Sequence, residues 1–417
     1  MMSDFKPVLA NKRFIYLWMS QLLSQLTINM VNFVFLIRLF STTGSTIATS
    51  LLWIAYALPA ILIGPIAAGI VDLLDRRLIL IVSNLLQSSV IFLYALTQGN
   101  SLFLLYGVAM GYAFLNQFYV PAEAASLPSL IDRKHLAQAN SIFFLTQQGA
   151  LIAGYTIAGL VNHFLGFSTS LYLASLLLFL AFVSVSFLPK LKPENDFPKN
   201  IEAGIMSFFT NLLNGYSFIK ENRSVLAPFL VLLFSQIGMT IVVINVPVLV
   251  TNVFGYSVNT GAVFVVTAAG LGAIGGLIAV NKLLKKGRRK KGVIEAAFID
   301  LTLAFGLLTF LIPMVAGVSR LIIGALAVFL VGAGFIGIVI PAQTFLQEKT
   351  PGGLRGRVFG NFWFLSTIAT IFPVIFSGTL SELFGIKLFL FALASVAMAG
   401  FFLSRNYGQS FLNESDR

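Results

Sequence analysis

Apolar residues in this chain do not alternate with polar ones; they run on. Twelve long hydrophobic stretches fall at approximately 14–40, 47–71, 78–98, 101–121, 138–161, 168–188, 224–250, 259–281, 293–315, 320–342, 357–379 and 386–404. A bilayer core about 30 Å thick takes roughly 20 apolar residues per helix, so each stretch is long enough to cross it. A membrane β-barrel would show segments of about ten residues alternating in polarity, a pattern missing here. The pattern predicts an all-α membrane protein with twelve transmembrane helices. One break is unusual: the run GPIAAGIVDLLDRR at 64–77 ends in Asp72, Asp75, Arg76 and Arg77 and returns at once to LILIVSNLL.

The spans also repeat. Asn11-Lys12 and Asn222-Arg223, Ser24-Gln25 and Ser235-Gln236, Gly44 and Gly255, and Gly64 and Gly275 all pair at an offset of 211 residues. Pro121-Ala122 pairs with Pro341-Ala342 at 220, and Gly159 and Gly166 pair with Gly378 and Gly385 at 219. These offsets predict two homologous six-helix bundles, 1–188 and 223–417, joined by a linker over 189–222. The linker opens polar and then carries Ile205, Phe208, Phe209, Leu212, Tyr216 and Ile219 at helical spacing, so it is expected to end in an amphipathic helix on the cytoplasmic face. Two like-oriented repeats place a substrate path between them near the midplane.

Composition agrees with the pattern: 58% of the 417 residues are hydrophobic and 10% charged, and mean hydropathy is +0.92. The net charge of +12 raises the question of an acidic partner. With the N-terminus inside, 24 of the 27 Lys and Arg residues fall on the cytoplasmic side, leaving Arg38, Arg320 and Lys387 outside. The positive-inside rule therefore absorbs the charge without nucleic acid and predicts two cytoplasmic termini in a cell membrane. Even KKGRRKK at 285–291 caps a span. The start, MMSDFKPVLANKRF, lacks the features of a removable signal peptide, and no cysteine is present, so no disulfide or thiol chemistry arises.

Polar residues inside spans carry the candidate chemistry. In the first span Gln21, Gln25, Asn29 and Asn32 share one helical face, and uncharged amides in hydrocarbon need partners. The seventh span offers Gln236, Thr240 and Asn245, the fourth Tyr112, Asn116, Gln117 and Tyr119, and the fifth Thr146, Gln147 and Gln148. Hydrogen bonding between helices is the competing use for each. An ionisable group in a span is costly and by default functional; Glu123, Glu295 and Asp300 qualify, with Asp300 and Glu123 the possible proton sites. Two glycine patterns, Gly270-x-Gly272-x-x-Gly275 and Gly332-x-Gly334-x-x-Gly337, match a dinucleotide fingerprint but lie within spans with no preceding strand, so close helix packing is expected instead. No P-loop is present, and His135 and His163 are too far apart for a metal site. No cofactor, metal or enzymatic activity is expected.

Five motifs together carry a resemblance: GPIAAGIVDLLDRR at 64–77, YVPAEAASLPSLI at 119–131 with LAQANSI at 136–142, FIKENR at 218–223, PAQTFLQ at 341–347, and LRGRVFG at 354–360. Over essentially the whole chain they are similar to the major facilitator superfamily, nearest to bacterial drug and siderophore exporters related to enterobactin and macrolide efflux proteins. The first resembles the signature loop between helices 2 and 3, with Asp72 at its acidic position and Arg76 and Arg77 at its basic ones. Leu73 stands where a basic residue is usual, and Asp75 where glycine often sits. The resemblance implies a conformational latch of Asp72, Asp75, Arg76 and Arg77 with Arg355 and Arg357 at the start of helix 11, where the helix dipole favours a carboxylate. It also implies that helices 1, 4, 7 and 10 line the path, with Gln25, Asn29, Asn116 and Gln236 foremost. Tyr155 replaces the proline of the exporters' helix 5 signature, and no cation sits near the middle of the lining spans, which disfavours tight anion recognition.

The expected function is a monomeric secondary transporter working by alternating access, exporting small neutral or cationic amphipathic compounds by proton antiport. A lipid or lysolipid flippase, and a non-transporting sensor of the same architecture, are the alternatives.

Overall fold

The computed structural model describes residues 2–71, 73–97, 101–132, 135–191, 201–351 and 354–411, and among them every regular element is helical. Asp72 lies outside the described residues. The elements are α1 (Met2–Leu9), α2 (Lys12–Thr43), α3 (Thr46–Val71), α4 (Arg76–Leu96), α5 (Leu102–Leu130), α6 (Leu136–Leu165), α7 (Phe167–Ser186), α8 (Ile201–Glu221), α9 (Arg223–Ile244), α10 (Val246–Val248), α11 (Val258–Lys285), α12 (Lys290–Gly306), α13 (Gly317–Lys349), α14 (Arg355–Phe384) and α15 (Ile386–Phe411). Among the described residues eleven helices are long and apolar enough to cross a membrane, and α3 makes a twelfth when its two limbs are taken as one span. Those limbs, Thr46–Leu62 and Gly64–Val71, meet at 45°. Pro65 supplies the cause, since its ring displaces the carbonyl four residues back and it has no N–H to give.

Two compact units form. One comprises residues 1–39 and 52–210, the other Phe40–Leu51 and 211–417. In the first, α4 packs against α5 and α7; in the second, the repeat-mate α12 packs against α13 and α15. The turns repeat as well. Gly44 and Gly255 both close a helix at positive φ, 64° and 75°, and Gly166 and Gly385 both join helices at 86° and 82°. Only glycine enters that region without strain, which is why these pairs stand out in the sequence.

Helix ends differ from the predicted limits in an instructive way. The helices containing Pro121 and Pro341 continue to Leu130 and Lys349 instead of stopping near the proline. Past Pro341 the residues AQTFLQEK are mostly good helix formers, and Lys290 anchors that tail through Glu348 at 2.8 Å; past Pro121 the helix carries on through a second proline, Pro128. After α9 the chain passes through α10 into a π-helical segment, Leu249–Phe254, and after α12 into another, Leu307–Leu311. The linker helix α8 seats its second half on α14: Asn361 Nδ2 donates to the Leu212 carbonyl at 3.0 Å. Gly215 lies so close to Arg357 and Asn361 that a side chain there would collide with them.

Candidate functional site

The charged loop before α4 is built into the first unit. Asp75 caps α4, accepting from the Arg77 amide at 3.0 Å and from the Leu191 amide at 3.0 Å, while the Arg76 amide donates to the Leu191 carbonyl at 3.2 Å. Arg76, 7% exposed, donates through Nη1 to the Ala125 carbonyl at 2.9 Å, and Arg77 Nη2 donates to the Ser186 carbonyl. The three residues thereby tie the start of α4 to the ends of α5 and α7. Asp75→Ala is expected to cost about 1 kcal/mol of stability as a lost helix cap, read as a lower melting temperature of the purified protein. Arg355 and Arg357 belong to the second unit, where Arg355 Nε donates to the Thr350 carbonyl at 3.2 Å and the Arg357 carbonyl accepts from Asn361 at 2.9 Å.

The polar face of α2 divides among several neighbours. Gln21 donates to the Phe143 carbonyl on α6 at 3.3 Å. Asn29 donates to the Gln25 carbonyl at 2.7 Å and packs on α6, where a Cβ at Gly154 would come within 2.7 Å of its own. Gln25 and Asn32 are half-buried, and the Asn32 Oδ1 is buried with no hydrogen-bond partner among the described residues. Gln117 donates to the Ala113 carbonyl at 3.1 Å, and its Oε1 faces Gly64; Asn116 is half-buried. In the second unit Gln236 is half-buried, and its carbonyl accepts from the buried Thr240 hydroxyl at 2.9 Å.

Three features escaped the sequence reading. The first is a buried polar chain across α4, α2 and α5: Asn84 Nδ2 donates to Ser20 Oγ at 3.0 Å, Ser20 shares a hydrogen bond with the Tyr119 hydroxyl at 3.1 Å, and Tyr119 donates to Glu123 Oε1 at 2.9 Å. Second, α3 carries Trp53 and Tyr56, and α4 carries Gln87. Trp53 Nε1, the Tyr56 hydroxyl and Gln87 Oε1 are buried without partners among the described residues. The phenols of Tyr112 and Tyr155 lie within electrostatic reach of Tyr56, and Tyr155 packs edge-on against Phe33 at 5.4 Å. Third, Ser83, Asn84, Gln87 and Ser88 form a wholly buried face of α4; their i, i+1, i+4, i+5 spacing was the available signal. Asp300, half-buried on α12, sets its carboxylate against α13, where a Cβ at Gly334 would lie 3.0 Å from Oδ2.

Comparison with known proteins agrees with this architecture. The family profile of the Major Facilitator Superfamily matches residues 17–374. The uncharacterized MFS-type transporter YfiS of Bacillus subtilis (strain 168) is 26% identical over 359 residues, covering 84% of this chain and 82% of that protein. A second from the same organism, the uncharacterized MFS-type transporter YfmI, is 23% identical over 381 residues, 88% and 90% of the two chains. Among solved structures, the nucleoside transporter NupG superposes with a TM-score of 0.70 at 13% identity, covering 95% of this chain and 99% of its own. A bacterial homolog of the human lysosomal transporter Spinster superposes at 0.68 with 14% identity, covering 96% and 97%; at such identities the likeness is one of fold. With the repeated helical architecture, the paired glycine turns and a profile match over most of its length, the chain belongs to the major facilitator superfamily of membrane transporters.

Proposed function

We propose that this protein is a secondary transporter of the drug and siderophore exporter branch, moving small neutral or cationic amphipathic compounds out across the cell membrane by alternating access and proton antiport. Both termini are cytoplasmic in this reading, as the distribution of Lys and Arg favours. The observation that supports it is Tyr56 of α3, whose buried hydroxyl has no hydrogen-bond partner among the described residues and lies near the uncharged side chains of Tyr112 and Tyr155. Gln25, Asn29, Asn116 and Gln236 complete the proposed path, and Asp72 keeps the latch role that its motif implies. Glu123, buried and hydrogen-bonded to Tyr119, is the preferred proton carrier, with Asp300 the second choice.

The test is uptake into proteoliposomes of a panel of neutral, cationic and anionic amphipathic solutes, with and without a pH gradient. Neutral or cationic solutes are expected to accumulate several-fold more with the gradient than without. Transport confined to anionic solutes, or indifferent to the gradient, removes the substrate class or the antiport respectively; competition by lysolipid headgroup analogues would turn the reading toward a flippase.

A further inference from the structure

Glu382, near the end of α14, reaches the start of α3. Its Oε2 accepts from the Ser45 hydroxyl at 2.9 Å, the Thr46 amide at 3.1 Å and the Ile47 amide at 3.3 Å, with the Thr46 hydroxyl oxygen 3.2 Å away. Thr46 and Ile47 open the helix, so their amides are among the donors that no helical carbonyl can satisfy, and they carry the positive end of its dipole. Just beneath, the Thr46 hydroxyl donates to the Gly378 carbonyl at 2.7 Å, and the Ser50 hydroxyl shares its proton between the Thr46 carbonyl of its own helix at 2.9 Å and the Val374 carbonyl at 3.2 Å. Gly378 has no space for a side chain, since a Cβ would fall on Ser50 Oγ.

This contact divides α3. Its first turns, as part of Phe40–Leu51, group with the second unit, while the remainder from Leu52 groups with the first. The helix bends by 45° further along, and its path is about 39 Å long for 26 residues at roughly 1.5 Å each. One spanning helix therefore has its start fastened to α14 and its body packed elsewhere.

We propose that Glu382 is a releasable clasp, holding the start of α3 to α14 in this conformation and letting go when that end of the transporter opens. Two features make release inexpensive. Glu382 is exposed, so a freed carboxylate returns to water without stranding a buried charge. The α3 start also keeps a cap of its own, because Ser45 Oγ accepts from the Ala48 amide at 3.4 Å. The bonds beneath it, at Thr46 and Ser50, are neutral and go to backbone carbonyls, so the carboxylate supplies the only charge-assisted bonds among these contacts and sets the balance between closed and open. The proposal deepens the alternating-access reading, but its test needs no transported solute, so either can fail alone.

The chain has no native cysteine, which allows single-cysteine reporters at Ser50→Cys and, as a second site, at Thr49→Cys, whose native hydroxyl bonds within its own helix. The readout is the rate of alkylation by a water-soluble maleimide in reconstituted protein, with Ser175→Cys, buried in α7, as the control for general loosening. Glu382→Gln is expected to raise the rate at both reporters about tenfold, the loss of hydrogen bonds to a charged group, and to leave Ser175→Cys unchanged. Glu382→Asp, which keeps the charge, should restore part of the protection. Unchanged rates at both reporters in Glu382→Gln and Glu382→Ala overturn the clasp. So does a parallel rise at Ser175→Cys, which would make Glu382 a general structural support.

Discussion

Gly332→Leu is expected to prevent the second unit from folding correctly. A Cβ at Gly332 would fall on the Ala269 carbonyl oxygen and lie 3.0 Å from the Ala273 nitrogen, and one at Gly276 would lie 2.8 Å from the Ala333 Cα. Gly272 in turn meets the Phe329 carbonyl. Here α11 and α13 touch backbone to backbone, in the small-residue manner of membrane helices. Backbone cannot rotate out of the way as a side chain can, so the helices must separate along the whole contact. Overpacking of this kind costs about 3 kcal/mol, and the lost contacts of neighbouring residues add to it. The measurement is the yield of monodisperse protein and its melting temperature, beside Gly360→Ala, where nothing lies within 4 Å of the added Cβ. The first variant should be lost or strongly destabilised and the second unaffected; a native melting curve for Gly332→Leu would mean that the two helices do not pack this closely.

The same contact explains why two nucleotide-like fingerprints occur in a chain that packs helices. Gly272, Gly275 and Gly332 serve the α11–α13 contact, while Gly334 and Gly337 let α12 approach from the other side, against Leu301 and Ala297. α13 sits between two neighbours, and its glycines fall on both faces. Spans, repeats and turns were legible because each depends on local properties: length of apolar run, offset, and the glycine requirement at Gly44, Gly166, Gly255 and Gly385. That Gln21 and Asn29 face other helices was legible too, because amides in hydrocarbon must. Which partner each takes was not. Gln21 bonds a backbone carbonyl on α6, and Asn84, Ser20, Tyr119 and Glu123 link three helices through one residue from each of two and a pair from the third. Such contacts depend on rotations between helices, which no periodicity encodes. Glu382 was invisible for the same reason: its donors lie 335 to 337 residues away.

Glu123→Gln is expected to uncouple transport from the pH gradient while leaving the fold intact. Glu123 is 6% exposed within α5, and a carboxylate so placed must be neutralised by a proton or held by partners. Its Oε1 accepts from Tyr119, which shares a hydrogen bond with Ser20 and through it reaches Asn84. A hydroxyl chain therefore leads from the acid to α2 and α4. Glutamine retains the oxygen that Tyr119 needs and nearly the same volume, but it cannot exchange a proton. In proteoliposomes the gradient-stimulated component should fall at least about tenfold, the size of effect typical when one proton-transferring group is removed. Exchange of solute across the membrane without a gradient should persist, because it requires the path and the conformational change but no proton movement. Asp300→Asn provides the comparison: its carboxylate is half-buried between α12 and α13, and its loss should leave the stimulation in place. If instead Asp300→Asn abolishes stimulation and Glu123→Gln keeps it, the proton travels with α12, and the Tyr119 chain serves only to hold α5 against α2 and α4.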